Sequence, residues 1–404
     1  MNATACKARP YLLDVSRLVW RGWGMRQPTG IDRVCRAYLS CFATRANAVL
    51  QWRGHRLVLP PRDSEVLADM LLDEGAGLDR ARFSLLVARA IARAPPKPGE
   101  LAGRILLNVG HTGLDSRSLP RWIAAQALRA VFLIHDLIPI THPHLCREGE
   151  EQRHRVRLRQ ALQSARGLVL NSAATRDDLT RFARAERLAM PRHRIAHLGI
   201  APPAPRTIRS GERAPNFPGP DFPKPYFIAV GTIEGRKNHA LLLDCWERLH
   251  ARLGPATPRL VIAGQRGWQA DAVFERLDRE AARGGPVTEL NACDDAQLSA
   301  LVAGARALLM PSRAEGYGLP VAEALAAGTA VIAADLPVYR EIAGDIPCLL
   351  DPADAPAWDA ALADHLDEGP DAQRQRAALP AYGAPCWNAH FSALENWLAD
   401  LAPN

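Results

Sequence analysis

The segment AEGYGLPVAEALAAG, residues 314–328, places two carboxylates on either side of a glycine-rich turn. Glu315 precedes Gly316 and Gly318, and Glu323 falls about one turn into the helix that follows. The glycines leave room for a ligand to pass against the backbone, and two carboxylates can accept the hydrogen bonds of paired hydroxyl groups, as a sugar or ribose presents them. The alternative interpretation is structural, with one glutamate stabilised by the helix dipole and the other in solvent.

A second motif, GTIEGRKNH, follows the apolar run PYFIAV. Gly231 and Gly235 permit a tight turn, and Arg236 and Lys237 supply two adjacent cations. Asn238 is expected to cap the next helix, whose positive end would then point at the same place. These features predict an anion site, with two surface charges at a helix start as the alternative. GxGxxG at a strand end and GxxxxGK[ST] are both missing, which excludes the dinucleotide fingerprint and the phosphate loop of NTPases.

Strand-length apolar runs must position these motifs. The first half has YLLDV, RILLNV, AVFLIHD and GLVLNS, and the second has PYFIAVG, RLVIAG, ALLMPS and TAVIAAD, with amphipathic helical segments between them. Asp294 and Gln297 form a capping pair for one such helix. Alternating strands and helices predict parallel sheets with right-handed crossovers, in Rossmann-like domains. Ligands bind beyond the carboxyl ends of such strands, and the residues that fall there are Asp136, Gly231, Gly264 and Ser312.

The length of 404 residues suits two domains. A stretch crowded with Pro and Gly, residues 201–225, is expected to link them, so the domains are predicted at residues 1–205 and 206–385. The segment 386–404 is expected to form a helix with an apolar stripe that contains Trp387. This helix either crosses back to the N-terminal domain or packs on the C-terminal one.

Composition narrows the class of protein. The chain is 48% hydrophobic and 23% charged, which is typical of globular proteins, and it has no apolar run of membrane-spanning length. No secretory signal is recognisable, so a cytoplasmic location is expected. Eight scattered cysteines without a CxxC pair indicate neither a disulfide framework nor a metal site.

The net charge of +7 is compatible with an anionic ligand, an anionic membrane surface or nucleic acid. Arg153, Arg155, Arg157 and Arg159 recur at every second position, which would spread charge around a helix. This helix is either solvated or a docking surface for a membrane or an acceptor. Peripheral contact with the anionic inner membrane is therefore one of the two interpretations. Nucleic-acid binding would require clustered basic and aromatic residues on one face, and the sequence gives no sign of them.

Taken together, EGYGLPVAEALAAG, GTIEGRKN and ALLMPS resemble the retaining glycosyltransferases of family 4, which have the GT-B fold of two Rossmann-like domains with a cleft between them. The resemblance is clear over residues 222–352. In the N-terminal half TGIDRV, HDLIP, NSAATRDDL and HLGI resemble the family's glycine loop, cleft histidine, strand-end serine segment and last N-domain strand. The family often has two consecutive glycines where this chain has Thr29 before Gly30.

The resemblance implies a role for each site residue. Arg236 and Lys237 would hold the donor diphosphate, Glu323 the ribose hydroxyls, and Glu315 the transferred sugar. His135 would lie beneath that sugar, or would merely cap its strand. The implied catalytic residues are His135, Glu315, Arg236 and Lys237, and the implied donor-binding residues are Gly30, Gly231, Arg236, Lys237, Gly264, Gly316, Tyr317, Gly318, Leu319 and Glu323.

The expected activity is retaining transfer of a hexose from a nucleotide diphosphate sugar to a glycan or lipid-linked glycan in bacterial surface polysaccharide assembly. HDLIP and AGQRGW most resemble bacterial mannosyltransferases, so GDP-mannose is the first choice of donor, before UDP-glucose and dTDP-rhamnose. No cofactor and no obligatory metal are expected, because Arg236, Lys237 and helix ends would stabilise the leaving phosphate. The alternatives are a nucleotide-sugar epimerase of the same fold and a basic nucleic-acid-binding protein. Alanine at Lys237, Glu315 or Glu323 is expected to lower turnover with little loss of stability.

Overall fold

The computed structural model describes residues 9–25, 29–73, 78–93, 95–200 and 225–401. Residues 201–224, nearly all of the predicted linker, lie outside these ranges. The chain forms two compact units. The first unit consists of residues up to 137, residues 151–198 and residues from 387 onward. The second unit consists of residues 138–150 and 199–386.

The first unit is built on a seven-stranded sheet of order β3-β2-β1-β4-β5-β6-β7, in which only the edge pair β2–β3 is antiparallel. The strands are β1 (Tyr11–Asp14), β2 (Ala46–Trp52), β3 (His55–Val58), β4 (Ile105–Asn108), β5 (Arg129–Ile134), β6 (Gly167–Leu170) and β7 (Arg192–Ile195). The helices of this unit are α1 (Ser16–Trp23), α2 (Gly30–Phe42), α3 (Pro61–Leu72), α4 (Arg80–Ile91), α5 (Ser118–Ala125), α7 (Glu150–Ser164), α8 (Ala173–Ala185) and α16 (Trp387–Asp400).

The second unit is built on a fully parallel six-stranded sheet of order β10-β9-β8-β11-β12-β13. Its strands are β8 (Tyr226–Val230), β9 (Arg259–Ala263), β10 (Val287–Leu290), β11 (Ala307–Met310), β12 (Ala330–Ala334) and β13 (Cys348–Leu350). Its helices are α6 (Ile138–Thr141), α9 (His239–Leu253), α10 (Asp271–Arg283), α11 (Asp295–Gly304), α12 (Leu319–Ala326), α13 (Pro337–Ala343), α14 (Ala355–Leu366) and α15 (Pro370–Ala378).

Both sheets reverse their strand order at one central pair of neighbouring strands. In the second unit the chain runs outward from β8 to β9 and β10, and then returns to place β11 on the other side of β8. The loops after β8 and β11 therefore diverge at a shared edge, which leaves a crevice where open α/β sheets bind ligands. The predicted α/β class with two Rossmann-like domains is confirmed.

The eight apolar runs identified in the sequence all form strands, which confirms that part of the prediction. The capping pair is also confirmed, since the Asp294 carboxylate accepts from the backbone N–H of Gln297 at 2.7 Å and the Gln297 side chain accepts from Asp294 N–H at 3.1 Å. The segment HLGI at 197–200 is not a strand. The last strand of the first sheet is β7, and its sequence RHRI lies exposed at the sheet edge.

Helix α16 packs against the first unit through its apolar stripe. Leu394, Trp397 and Leu398 are buried. The His390 ring lies 2.9 Å from the hydroxyl of Tyr38 on α2, and a Cβ at Gly167 of β6 would come within 2.6 Å of the Trp397 ring. Because Gly167 has no side chain, the tryptophan can lie directly on the strand.

Candidate active site

The loops that follow β8 and β11 meet at the crevice of the second sheet. The backbone N–H of Arg313 donates to the carbonyl of Arg236 at 2.9 Å, which joins the two loops directly. Asn238 strengthens this junction, because its side-chain amide donates to the carbonyl oxygens of Pro311 and Pro352. Asn238 precedes α9 in a left-handed conformation, and its side chain makes no capping hydrogen bond. The predicted side-chain cap is therefore wrong, because the Asn238 Oδ1 that would cap the helix accepts from the Arg313 guanidinium at 3.2 Å.

Lys237 and Glu315 form the centre of the site. The Lys237 ammonium lies 2.5 Å from one carboxylate oxygen of Glu315, and the Arg236 guanidinium lies 2.9 Å from the other. The side chains of Lys237 and Glu315 are only 10% and 8% exposed. The structure thus brings together three of the residues that the two motifs predicted, although they lie 78 positions apart in sequence.

The Arg236 guanidinium also binds acceptors other than Glu315. Its guanidinium contacts the Glu234 carboxylate at 2.7 Å and donates to the backbone carbonyl of Ala314 at 2.7 Å. Arg236 therefore binds acceptors on both loops and connects them. The ion pair of Lys237, by contrast, is formed with Glu315. Sequence analysis did not single out Glu234, although its place two residues before Arg236 within GTIEGRK was visible.

Burial and neighbouring charges set the ionisation of this cluster. Burial alone would raise the pKa of Glu315, but the charges of Arg236 and Lys237 outweigh it and lower that pKa to about 2. Burial lowers the pKa of Lys237 against the attraction of Glu315, and burial raises the pKa of Glu234 against that of Arg236. Two acids and two bases therefore balance one another before any ligand binds.

The predicted glycines allow the loops to approach one another. A Cβ at Gly264 would lie 1.9 Å from the carbonyl oxygen of Gly231, so only glycine fits below the β8 loop. Gly231 itself has φ +134° and lies under the Lys237 side chain. At the other loop Gly318 has φ +96°, and a Cβ there would meet the Tyr339 ring at 2.4 Å. Close contacts require glycine at positions 264 and 318, and the positive φ favours glycine at position 231.

The rest of the segment that contains Glu315 enters α12 directly. Gly316 follows Glu315, Tyr317 is buried, and Leu319 is the first helical residue. Glu323 lies one turn into the helix and is half-buried. The assignment of ribose hydroxyls to Glu323 stays a prediction.

Two predicted residues, Gly30 and His135, belong to the first unit. Gly30 is the first residue of α2, and Thr29 and Asp32 form a capping box there. The Asp32 carboxylate also forms an ion pair with Arg17 at 2.7 Å. This cap and ion pair hold the start of α2 in place.

His135 follows β5 and is buried. Burial lowers the pKa of its ring to about 4, so the ring is neutral near pH 7. Its Nε2 donates to the carbonyl oxygen of Val109 at 2.7 Å. A neutral ring that carries its proton on Nε2 has Nδ1 as a hydrogen-bond acceptor. The role of His135 beneath a transferred sugar stays a prediction.

The arginine-rich helix α7 is engaged by carboxylates of its own unit. Arg153 contacts Asp115 at 2.7 Å, and Arg155 contacts Glu186 at 2.5 Å. Arg159 also pairs with Glu186. These pairs favour the interpretation of a solvated, ion-paired helix over a docking surface.

Within the described ranges, one group of three side chains has the donor types and spacing of a metal site, namely Asp364, His365 and Asp371. Each already has an internal role. His365 donates from Nδ1 to the carbonyl of Ala361. Asp364 accepts from the backbone N–H groups of Asp371 and Ala372, and Asp371 accepts from the side chains of Arg374 and Gln375. The group is explained by the packing of α14 on α15. No helix in the described part of the chain combines the length and apolar character needed to cross a bilayer.

Comparisons with known proteins agree with this geometry. The family model of Glycosyl transferases group 1 matches residues 212–380. Over 220 residues the chain is 30% identical to the serotype-specific mannosyltransferase WbdA of Escherichia coli, which covers 53% of this chain and 27% of WbdA. It is 28% identical to the O-antigen chain mannosyltransferase B of Escherichia coli, over 59% of this chain and 62% of that protein. The chain thus spans less than two thirds of either relative.

Solved structures share the fold across nearly the whole chain. HepE of Anabaena, in complex with UDP and glucose, superimposes with a TM-score of 0.63 at 14% identity, over 96% of this chain and 99% of that one. The UDP-forming trehalose-phosphate synthase of Burkholderia vietnamiensis superimposes with a TM-score of 0.60 at 15% identity, over 98% and 99%. The chain therefore contains a Glycosyl transferases group 1 domain at residues 212–380, and it shares the GT-B fold of these two solved structures.

Proposed function

We propose that this glycosyltransferase moves a mannosyl residue from GDP-mannose to a glycan or lipid-linked glycan during bacterial surface polysaccharide assembly, with retention of anomeric configuration. The observation that carries the proposal is the buried Lys237–Glu315 pair, 2.5 Å apart, at the ends of β8 and β11. The donor has a diphosphate and a sugar on either side of the bond that breaks. The cation can bind the diphosphate, and the adjacent carboxylate can accept hydrogen bonds from the sugar hydroxyls.

Lys237 stabilises the leaving group in this proposal. As the bond from the anomeric carbon to the phosphate oxygen breaks, negative charge grows on the diphosphate, and a fixed ammonium group there lowers the barrier. Arg236 is already bound to Glu234, Glu315 and Ala314, so it positions Lys237 and Glu315 and contributes charge at longer range. Glu315, whose pKa is held at about 2, stays a carboxylate and accepts hydrogen bonds from the sugar hydroxyls.

Retention follows from attack on the face that the diphosphate leaves. The acceptor oxygen bonds to the anomeric carbon, and the acceptor proton passes to the departing phosphate oxygen. Lys237, Arg236 and the N-terminal end of α9 supply the positive charge, so the reaction proceeds without a divalent ion.

The choice of mannose is supported by the names of three relatives. WbdA, the O-antigen chain mannosyltransferase B and the O-antigen chain mannosyltransferase RfbU of Salmonella typhimurium, at 36% identity over 150 residues, are all mannosyltransferases. The HepE structures contain UDP, which supports a nucleotide sugar as the class of donor. Their sequence identity to this chain is too low to indicate which nucleobase the donor carries.

A panel of nucleotide sugars tests the proposal. Purified protein is incubated with GDP-mannose, UDP-glucose or dTDP-rhamnose, with and without EDTA, and the released nucleoside diphosphate is measured. We expect slow release of GDP that EDTA does not change. Release of UDP but not GDP would overturn mannose, loss of activity in EDTA would overturn the metal-free mechanism, and conversion of the sugar without diphosphate release would indicate an epimerase.

A further inference from the structure

The segment RGWQ, residues 266–269, follows β9 and lies beside the loop that carries Arg236 and Lys237. The backbone N–H of Gly267 donates to the carbonyl of Ile233 at 2.9 Å, and the backbone N–H of Gly235 donates to the carbonyl of Trp268 at 3.2 Å. We name residues 266–269 the RGWQ loop. Backbone hydrogen bonds thus join this loop to the chain directly before the two cations.

Two glycines let these loops approach each other closely. A Cβ at Gly267 would lie 2.7 Å from Cγ2 of Thr232, and a Cβ at Gly235 would lie 2.9 Å from the carbonyl oxygen of Gln269. Gly235 is the residue before Arg236. Because closely packed segments transmit small displacements to each other, a shift of the RGWQ loop would move the backbone that carries the cations.

Gln269 has an unfavourable backbone conformation at the end of the RGWQ loop. Its φ is +52°, in the left-handed region that residues with a side chain rarely adopt. The residue is exposed to solvent, so packing of its side chain in the core does not account for this conformation. Strained residues of this kind persist where the surrounding contacts hold them, and they are concentrated at functional sites.

Residues 138–150, which we name the strap, contact both Gln269 and Trp268. The side-chain amide of Gln269 donates to the carbonyl oxygen of Cys146 at 2.9 Å. The guanidinium of Arg147 lies over the Trp268 ring, 4.5 Å from its centroid, where the electrons of the ring attract a cation. Two neighbouring residues of the strap therefore hold two neighbouring residues of the RGWQ loop.

The strap belongs to the second unit, although the chain on either side of it belongs to the first. It begins three residues after His135, and the chain returns to the first unit at Glu151. Leu145 of the strap is buried, whereas Arg147 is exposed to solvent. Contacts between exposed groups are individually weak, so the strap can make and release them at little cost.

We propose that the strap positions the cationic loop of the donor site, with Trp268 and Gln269 as the positioning residues. The inference rests on the proposed function, in which Arg236 and Lys237 bind the donor diphosphate. When the strap is seated, it fixes the RGWQ loop, and that loop fixes the backbone of the two cations. When the strap is released, the cations lose their fixed position, and the preorganised charge that binds the diphosphate weakens.

Substitutions at exposed positions remove the contacts of the strap. Gln269→Gly deletes the amide, and because glycine adopts φ +52° without strain, this variant should keep its stability. Arg147→Ala deletes the cation over the ring, whereas Arg147→Lys keeps one. The matched controls are Arg187→Gly, at an exposed residue with φ +56°, and Arg279→Ala, at an exposed position of α10. Melting temperature verifies that every variant of the full chain is folded.

Hydrogen exchange without any ligand tests whether the strap holds the cationic loop. Gln269→Gly combined with Arg147→Ala should speed exchange in residues 231–238 about fivefold or more, because the loop then opens more often. Arg187→Gly combined with Arg279→Ala should leave that exchange unchanged. Equal exchange rates in the combined strap variant and the unmodified protein would overturn the proposal.

Calorimetry with GDP, UDP and dTDP tests whether this positioning serves the donor site. Whichever nucleotide the unmodified protein binds should bind about tenfold more weakly to the combined strap variant. Arg147→Ala alone should weaken binding about threefold, and Arg147→Lys should restore it. Faster exchange with unchanged nucleotide affinity, or an equal loss in Arg147→Ala and Arg147→Lys, would overturn the proposal. If the unmodified protein binds none of the three nucleotides, the proposed function fails, and the exchange rates still decide whether the strap holds the loop.

Discussion

The Lys237 side chain lies across Gly231, so that a Cβ at Gly231 would be 3.1 Å from Cε and 3.2 Å from Nζ of the lysine. The missing side chain at the end of β8 thus provides the space in which the ammonium group reaches Glu315. The glycine is part of the positioning of the charge as well as of the turn.

Gly231→Ala should lower turnover, because the new methyl group would push Lys237 away from Glu315. The lysine is flexible, so the loss of stability should be mainly the cost of φ +134°, about 1–3 kcal/mol. Activity assays and chemical denaturation measure the two effects. Gly254→Ala is the control, since Gly254 has φ +55° and open space around it. Equal turnover in the two variants would contradict the positioning role.

Lys237→Ala should reduce turnover about 100-fold or more, because it removes the cation nearest the leaving phosphate. Stability should fall by less than about 3 kcal/mol, since Glu315 keeps its contact with Arg236 at 2.9 Å. Lys97→Ala at an exposed position is the matched control. A normal rate in Lys237→Ala would refute its contact with the leaving group.

Glu315→Ala should cost stability as well as activity, which revises the expectation from sequence. The substitution leaves Lys237 and Arg236 with an unbalanced positive charge in a buried place, and such losses amount to about 3–5 kcal/mol. Urea denaturation measures the change, with exposed Glu275→Ala on α10 as control. An unfolding free energy equal to that of the control would mean that the cluster is not coupled as the structure indicates.

Gly318→Ala should destabilise the protein more than Gly328→Ala. Both positions have positive φ, +96° and +77°, so both substitutions carry the conformational cost of about 1–3 kcal/mol. Only at Gly318 would the Cβ collide with a ring, that of Tyr339 at 2.4 Å, whereas Gly328 has open space. The difference in melting temperature between the variants isolates the collision. Equal melting temperatures would show that Tyr339 can move aside.

Stability should fall in acid partly because of His239. Burial lowers the pKa of this ring to about 3, with the charge of Lys237 adding to the effect, whereas a histidine in the unfolded chain has its ordinary pKa of about 6.5. Between these values the unfolded state binds a proton that the folded state does not, so stability decreases as pH falls through this window. The slope is about 1.4 kcal/mol per pH unit for each such proton.

His239→Asn should therefore reduce the dependence of unfolding free energy on pH between pH 4.5 and 6 by about one proton. Denaturant titrations at several pH values provide the slope. His250→Asn, at an exposed position of α9, is the control and should keep the slope of the unmodified protein. Identical slopes in both variants would contradict a neutral, buried His239.

The sequence predicted those parts of the fold in which burial leaves a continuous apolar run. The strands β8, β9, β11 and β12 are of this kind, because helices cover both faces of a parallel sheet. Strands with polar or weakly apolar sequence were missed, such as β7 (RHRI) and β10 (VTEL), both at sheet edges. The periodicity of apolar residues carries little information about an edge strand whose side chains are largely exposed to solvent.

The candidate site was predictable to the level of its two loops but not of its contacts. Spacing placed Lys237 and Glu315 after β8 and β11, and the strand order brings those loops together. The bond from Arg236 to the carbonyl of Ala314 depends on packing between segments 78 residues apart, and no local pattern reports it. For the same reason Asn238 was expected to cap its helix, whereas it bonds to Pro311 and Pro352.

The packing of α16 on α2 and β6 has a consequence for synthesis. Tyr38 meets His390 across 352 positions of sequence, and Trp397 covers Gly167. Much of the first unit emerges early from the ribosome, but the side of its sheet that α16 covers stays exposed until residues 387–401 have also emerged. Chaperones would therefore find apolar surface on this nascent unit throughout translation of the second one, and a chain stopped before residue 387 should aggregate.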